Sequence, residues 1–217
     1  MSLFDKLSYI SRKRKLELFY SLLKPNADDK VLDVGAEINP DGSRGLQLID
    51  SYPWKDKITA LNTSAEHIKL IKQHYPEVKA IVGNGCILPW PDKHFDIVYS
   101  NAVIEHVGGL AEQKKMAAEI MRVGKRWFMS TPNRWFPFEF HLRLPLVTWL
   151  PWRGYQWAAS IVSYSHVKRK FVFKGRKASG IRLMSVRELK KCFPRSRIIK
   201  QRVTFMAETL IAIGGDI

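Results

Sequence analysis

The 217-residue chain is 46% hydrophobic and 12% aromatic, which excludes a disordered protein because this much apolar material can form a core. No apolar run approaches the ~20 residues of a membrane span, and two distant cysteines, Cys86 and Cys192, argue against a disulfide framework or a metal site. The formal charge of +16 favours acidic partners such as nucleic acid, anionic lipid or phosphorylated sugars.

The first half of the chain alternates helical and strand-like patterns. Apolar residues at helical spacing predict one or two amphipathic helices over residues 3–24, ending before Pro25. The elements predicted after them are strands at 30–35, 58–61, 78–82, 95–99 and 127–130, with helices at 65–74 and 110–123. This alternation is typical of a parallel sheet with helices on both faces.

Residues 134–180 break this alternation, because they are rich in Trp, Phe, Pro and basic residues. We interpret the segment as an insertion with short helices. Three roles are open for its apolar side chains: a lid over a bound hydrophobic molecule, a patch that inserts into a membrane interface, or a small core that covers the open end of the sheet.

The last part of the chain returns to regular structure. Residues 185–193 form a helix, with Ser185 and Glu188 spaced as a capping box. Segments 198–205 and 209–213 are strand-like and separated by a short turn, which predicts an antiparallel pair.

The fold class follows from these elements. We expect an α/β protein with a Rossmann-like, mostly parallel seven-stranded sheet, helices on both faces and a C-terminal antiparallel hairpin. The chain is expected to be a single domain over 1–217, with an N-terminal helical segment at 1–27 and the insertion at 134–180.

Polar and small residues follow three of the predicted strands. The first strand ends in Asp33-Val34-Gly35, the second is followed by Asn62, and the third by Asn84. Ligands of open α/β sheets bind beyond the carboxyl ends of strands, where a glycine lets the backbone approach a ligand closely. Each feature also fits a tight turn or a helix cap, so these residues alone leave a ligand site and plain turns both open.

The most specific segment is residues 88–107, which read LPWPDKHFDIVYSNAVIEHV. It resembles the class I S-adenosylmethionine-dependent methyltransferases of the type 11 methyltransferase-domain branch, whose pattern is close to L-P-F-x-D-x-x-F-D-x-V-x-S-x-x-x-x-E-H. The run STPNRWFP at 130–137, with Glu139 and His141 after it, is similar to a subgroup of that family. The resemblance spans about residues 28–214.

The resemblance implies a methyltransferase that uses S-adenosylmethionine. It assigns these residues to the cofactor site: Asp33, Gly35, Ala36, Glu37, Asn62, Thr63, Asn84, Gly85, Cys86, Asn101 and Ala102. The chain departs from the family pattern because two glycines after Gly35 are missing, and because Asn62 and Asn84 replace acidic residues. Neutral amides accept weaker hydrogen bonds than carboxylates, so either the loop 36–45 holds the cofactor differently or the fold is a scaffold that has lost it.

Methyl transfer needs an acceptor aligned with the methyl carbon and, for a hydroxyl acceptor, a base that takes its proton. The candidates are His106 and His141, with Glu139 as orienting partner or alternative base. Each of the two histidines also fits a structural role.

The expected acceptor is a small molecule, a lipid or a glycan intermediate. A nucleic-acid methyltransferase is the alternative, because basic and aromatic residues interleave at 168–177. A non-catalytic scaffold is a third hypothesis. We expect a cytoplasmic location without a metal, with peripheral contact to an anionic membrane as a further alternative.

Overall fold

The computed structural model describes residues 3–39, 45–139, 144–165, 170–173 and 181–216. Its α-helices are α1 (Leu3–Leu23), α2 (Leu48–Ser51), α3 (Ala65–His74), α4 (Leu110–Val123), α5 (Trp152–Ile161) and α6 (Val186–Cys192). Short 3-10 helices cover Lys55–Lys57, Ile104–His106 and Val147–Trp149. The strands are β1 (Val31–Val34), β2 (Ile58–Asn62), β3 (Lys79–Val82), β4 (Phe95–Asn101), β5 (Gly124–Pro132), β6 (Phe138–Glu139), β7 (Leu144–Pro145), β8 (Val162–Ser165), β9 (Lys170–Phe173), β10 (Arg197–Arg202) and β11 (Ala207–Gly215).

Seven strands form one sheet in the order β10-β11-β5-β4-β1-β2-β3. The pairs from β3 to β5 are parallel, whereas β11 is antiparallel to both β5 and β10. The strand order reverses beside β1, which pairs with β2 on one side and β4 on the other. Such a reversal opens a crevice at the carboxyl ends of the strands. The Rossmann-like sheet with a C-terminal antiparallel hairpin, predicted from the sequence, is therefore confirmed.

Helix α1 is part of the core. Its Phe19 is fully buried and packs edge-on against Tyr99 of β4 and Phe128 of β5, at centroid distances of 5.3 Å and 5.8 Å. Leu16 and Leu23 are buried in the same cluster. The helix therefore covers the middle of the sheet, and its position fixes which of its residues face the strand ends.

Two of the helices that the sequence placed within about a residue, α3 and α6, have side-chain caps. Ser64 accepts a hydrogen bond from the His67 amide, and α3 begins directly after it. Ser185 and Glu188 form the expected capping box, in which each side chain accepts from the other residue's backbone amide. Caps satisfy the free amides of a first turn and so fix where a helix begins.

The segment after β5 differs from the expectation of short helices alone. It contains two small antiparallel pairs, β6 with β7 and β8 with β9, as well as the 3-10 turn and α5. Apolar residues in short runs do not distinguish a strand from a buried helix. No helix in the described ranges is long and apolar enough to cross a membrane.

Candidate functional site

A cavity of about 730 Å³ opens at the carboxyl ends of β1, β2, β4 and β5, where the strand order reverses. Its residues come from the strand ends, from α1 and from the C-terminal hairpin. Predicted cofactor residues that line it are Gly35, Glu37, Asn62, Thr63, Asn84, Gly85, Asn101 and Ala102. Ligand sites of small molecules commonly measure roughly 300–1,000 Å³, so the space suits a nucleoside with part of a second molecule.

Gly35 makes the close turn at the end of β1. Its φ is +82°, and a Cβ there would lie 2.2 Å from Cγ2 of Val103. The backbone amides of Gly35 and Ala36 both donate to the carbonyl of Leu61, over 2.7 Å and 3.1 Å. A left-handed conformation without room for a side chain requires glycine, so this position of the family pattern is kept for a physical reason.

The two asparagines that replace acidic residues both make local hydrogen bonds. The Asn62 amide donates to the carbonyl of Ala36 over 2.9 Å, and its oxygen accepts from the Ser64 amide over 2.8 Å. The Asn84 oxygen accepts from the Cys86 amide over 2.9 Å. Asn62 thus ties the loop after β1 to the start of α3, a contact that a carboxylate, having no donor, cannot make.

Asn101 lies at the end of β4, between two donors. Its side-chain oxygen accepts from Nζ of Lys15 over 2.8 Å and from Oγ of Ser130 over 2.7 Å. Asn101 pairs with Ser130 in the β4–β5 register, and Lys15 comes from α1. The two bonds fix the plane of the amide in the cavity wall.

Asp33, Ala36 and Cys86, also expected at the cofactor, are not among the residues that line the cavity. Asp33 is buried in β1, and burial, with the nearby charges of Glu37 and Asp50, raises its pKa to about 7. The Cys86 thiol donates to the carbonyl of Glu112 in α4 over 3.4 Å. Side chains alternate between the two faces of a sheet. The Asp33 side chain therefore lies on one face of the sheet, while its backbone lies close to the turn at Gly35.

The three catalytic candidates are placed differently. His106 is exposed, lines the cavity and ends the short 3-10 turn after β4. Glu139 is buried in β6, where its charge contributes to raising the pKa of the Tyr155 hydroxyl, and it is not part of the lining. His141 lies outside the described residues, as do residues 166–169 and 174–180 of the basic stretch.

Helix α1 supplies a cavity wall that the sequence analysis did not foresee. Leu7, Ser8, Ser11, Arg12 and Lys15 line the cavity, and they recur at helical spacing. The contact joins segments about 90 residues apart, as between Lys15 and Asn101. The only signal in the sequence is a lysine on the apolar side of the helix, next to Leu16. That signal does not predict which residue the lysine contacts.

Lys15 is the most perturbed group that lines the cavity. It is buried, and burial together with the charge of Arg12 lowers its pKa to about 8, although Glu105 and Glu208 act in the opposite direction. Both carboxylates are engaged elsewhere. Glu105 accepts from Oγ1 of Thr131, and Glu208 accepts from the Val203 amide over 2.8 Å.

Comparison with known proteins shows which family and which folds the chain resembles. Residues 42–126 match the family model of the methyltransferase domain. The matched segment is less than half of the chain, and over it the chain resembles this family. A curated relative from Mycolicibacterium smegmatis, named a probable S-adenosylmethionine-dependent methyltransferase, is 31% identical over 78 residues. These matches bear out the resemblance to methyltransferases that use S-adenosylmethionine, which the motif predicts.

The matched region is only part of each relative. The alignment with the mycobacterial protein covers 36% of this chain and 30% of the relative, so less than a third of that protein is spanned. The activity of the whole protein, its substrate and its partners are therefore proposals.

Two solved structures show the same fold over nearly the whole chain. A protein from Pyrococcus horikoshii has a TM-score of 0.60 at 17% identity, covering 94% of this chain and 89% of that one. The Burkholderia thailandensis 1,6-didemethyltoxoflavin-N1-methyltransferase, solved with its substrate and S-adenosylhomocysteine, has a TM-score of 0.52 at 15% identity, covering 96% and 80%. At these identities the likeness extends to the fold alone.

Proposed function

We propose that the protein transfers a methyl group from S-adenosylmethionine to a small-molecule, lipid or glycan acceptor bound in the cavity. The observation that carries the proposal is that eight of the residues expected at the cofactor, on the loops after β1, β2, β3 and β4, line one cavity. A scaffold that had lost its ligand would have no reason to keep this space open.

The strand ends fit a nucleoside with an amino-acid tail. Gly35 leaves its backbone accessible, Thr63 and Asn84 lie at the ends of their strands, and the apolar side chains of Val34 and Leu61 line the same space. When bound, S-adenosylmethionine supplies a methyl group on a sulfonium. The protein has to align the acceptor with that methyl carbon and exclude water from the reaction.

The half of the cavity beyond β4 and β5 is proposed to hold the acceptor. Phe136, Phe138 and Val107 give it apolar walls, while His106 lies at its border. For a hydroxyl acceptor we propose His106 as the group that takes the proton, since it lines the cavity and is exposed to water that can carry the proton away. The roles of His141 and Glu139 stay predictions.

A lipid or lipid-linked acceptor is favoured by the surface of the insertion. Large apolar side chains are exposed there, which we call the aromatic face: Trp135, Leu146, Trp149, Leu150 and Trp157. Nε1 of Trp149 donates to the backbone carbonyl of Trp135 over 3.2 Å, so the Trp149 ring lies against the backbone of residue 135. Exposed tryptophans beside arginines are typical of proteins that touch a membrane interface.

Cofactor binding tests the proposal directly. The melting temperature should rise with S-adenosylhomocysteine, because a ligand that binds only the native state stabilises it. Gly35→Ala should abolish the rise, since its Cβ would meet Val103. Gly154→Ala in α5 is the matched control, because a Cβ there makes only ordinary contacts. A wild-type protein whose melting temperature does not change with the cofactor product contradicts the proposal.

A further inference from the structure

Two basic residues of α1 stand at different depths of the same cavity. Lys15 is buried at the base, whereas Arg12, three residues earlier on the same helix face, is exposed at the mouth. Like charges at this spacing repel each other. An arrangement that keeps two cations together in a half-enclosed space requires something that compensates them.

The protein supplies little compensation for Lys15. Its hydrogen bond runs to Asn101 Oδ1, a neutral acceptor, and within the described ranges no carboxylate oxygen lies at ion-pair distance from its Nζ. Glu208 accepts from Gln201 Nε2 over 3.2 Å in addition to the Val203 amide, and Glu105 accepts from Thr131. Buried charges in proteins are normally paired, so a direct anionic partner of Lys15 is missing among the residues that the structure describes.

We propose that Arg12 and Lys15 form an anion-binding subsite that takes a carboxylate or phosphate group of a molecule bound in the cavity. The inference rests on the proposed function, because it concerns the ligands of the same site. Two sources carry such a group: the amino-acid tail of the cofactor and the methyl acceptor. An anion next to Lys15 would stabilise its charged form and so bind better below pH 8, where this lysine is protonated.

The groups that act on Lys15 come from three elements besides α1. They are Glu105 in the turn after β4, Ser130 of β5 through Asn101, and Glu208 of β11, while Arg12 adds the nearest like charge. Glu37 and His106 are the other titratable groups in the lining. Replacement of Lys15 by arginine keeps the charge above pH 8 and so separates the lysine's titration from theirs.

The test is calorimetric titration with sulfate, which stays doubly charged across the range used, with and without saturating S-adenosylhomocysteine. Wild-type protein should bind sulfate, and Lys15→Gln and Arg12→Gln should each weaken binding by about tenfold, the size of one charge-assisted hydrogen bond. Lys13→Gln is the matched control, because Lys13 is exposed on the same helix and pairs only with Glu17 over 3.9 Å. Between pH 7 and 9.5, wild-type affinity should begin to fall as the pH rises through about 8, whereas Lys15→Arg should bind without that fall.

A second arm identifies the source of the anion. If Lys15→Gln weakens S-adenosylhomocysteine but not 5′-methylthioadenosine, which lacks the amino-acid tail, the cofactor carboxylate occupies the subsite. If both nucleosides bind as in wild type and sulfate binds beside saturating S-adenosylhomocysteine, the acceptor carries the anion. Sulfate affinity that is the same in wild type, Lys15→Gln and Arg12→Gln overturns the inference while nucleoside binding leaves the proposed function standing. Failure of the wild type to bind either nucleoside overturns the proposed function itself.

Discussion

Lys15 shows how a single side chain can act against stability while serving a ligand. Lowering its pKa from 10.5 to about 8 means that holding its charge in the folded state costs about 3 kcal/mol at neutral pH. Selection for folding stability alone would favour an apolar residue at this buried position. The cost is consistent with a residue kept for the ligand site.

The Lys15→Met variant should therefore be more stable than the wild type at pH 7. We expect the free energy of unfolding to rise by about 1 to 2 kcal/mol, because loss of the Asn101 hydrogen bond offsets part of the relieved charge. The folded-state pKa is the lower one, so the penalty is complete below pH 8 and vanishes as the pH approaches 10.5. Urea denaturation at pH 7 and pH 10 measures both values.

The exposed Lys13→Met change should shift stability by less than about 0.5 kcal/mol at both pH values. A Lys15→Met variant that is less stable than wild type at pH 7 would show instead that the ammonium group of Lys15 stabilises the fold.

Asp33 presents the opposite titration. Its pKa is raised from 3.8 to about 7, so the folded state holds a proton that the unfolded state has lost between these values. The stabilisation that the Asp33 carboxyl contributes to the folded state is at its full value below pH 4 and is lost as the pH rises through 7. Asp33→Asn should remove this loss, raising the free energy of unfolding by up to about 4 kcal/mol at pH 8 and by little at pH 4.

Parallel denaturation series at the two pH values check the prediction for Asp33. The exposed Asp28→Asn variant serves as the control for a lost surface charge. Equal stability of Asp33→Asn and wild type at pH 8 would mean that the carboxylate is compensated in the native protein.

At the scale of elements, α1 couples the core to the site. Phe19 packs into the sheet while Lys15, one turn earlier, lines the cavity. Phe19→Ala should lower the free energy of unfolding by about 3 to 5 kcal/mol, the usual cost of truncating a buried phenylalanine. Ile10→Ala on the same helix should cost little, because 39% of the Ile10 side chain is exposed.

Thermal or urea unfolding of the two α1 variants gives the comparison. If α1 contributed little to the core, Phe19→Ala would unfold with nearly wild-type stability. That result would also contradict the placement of α1 as a wall of the cavity.

What the sequence could predict follows from how local each interaction is. Helices α3, α4 and α6 were placed within about a residue because Ser64, Ser185 and the helical spacing mark them locally. The pairing of Lys15 with Asn101, and the local bonds of Asn62 that replace an acidic ligand, depend on which loops meet after folding. The strands of the insertion were missed because short apolar runs fit both helix and strand.

At the scale of the whole molecule, the charge of +16 and the aromatic face both fit the proposed contact with an anionic membrane. Basic residues attract an anionic bilayer over about 8 Å at physiological salt, and tryptophan rings then settle at its interface. We expect the protein to co-sediment with phosphatidylglycerol vesicles and less with phosphatidylcholine vesicles, and added salt should weaken the association.

The double variant Trp149→Ala, Trp157→Ala should lose most of the vesicle binding at unchanged net charge. Phe205→Ala is the control, because this residue is 82% exposed and belongs to the β10–β11 turn, not to the insertion. If charge alone drove the association, both variants would bind like wild type and would be released equally by salt. Retention on RNA without vesicle binding would instead favour a nucleic-acid acceptor, since phosphate contacts give RNA binding the same steep salt dependence without a need for exposed tryptophans.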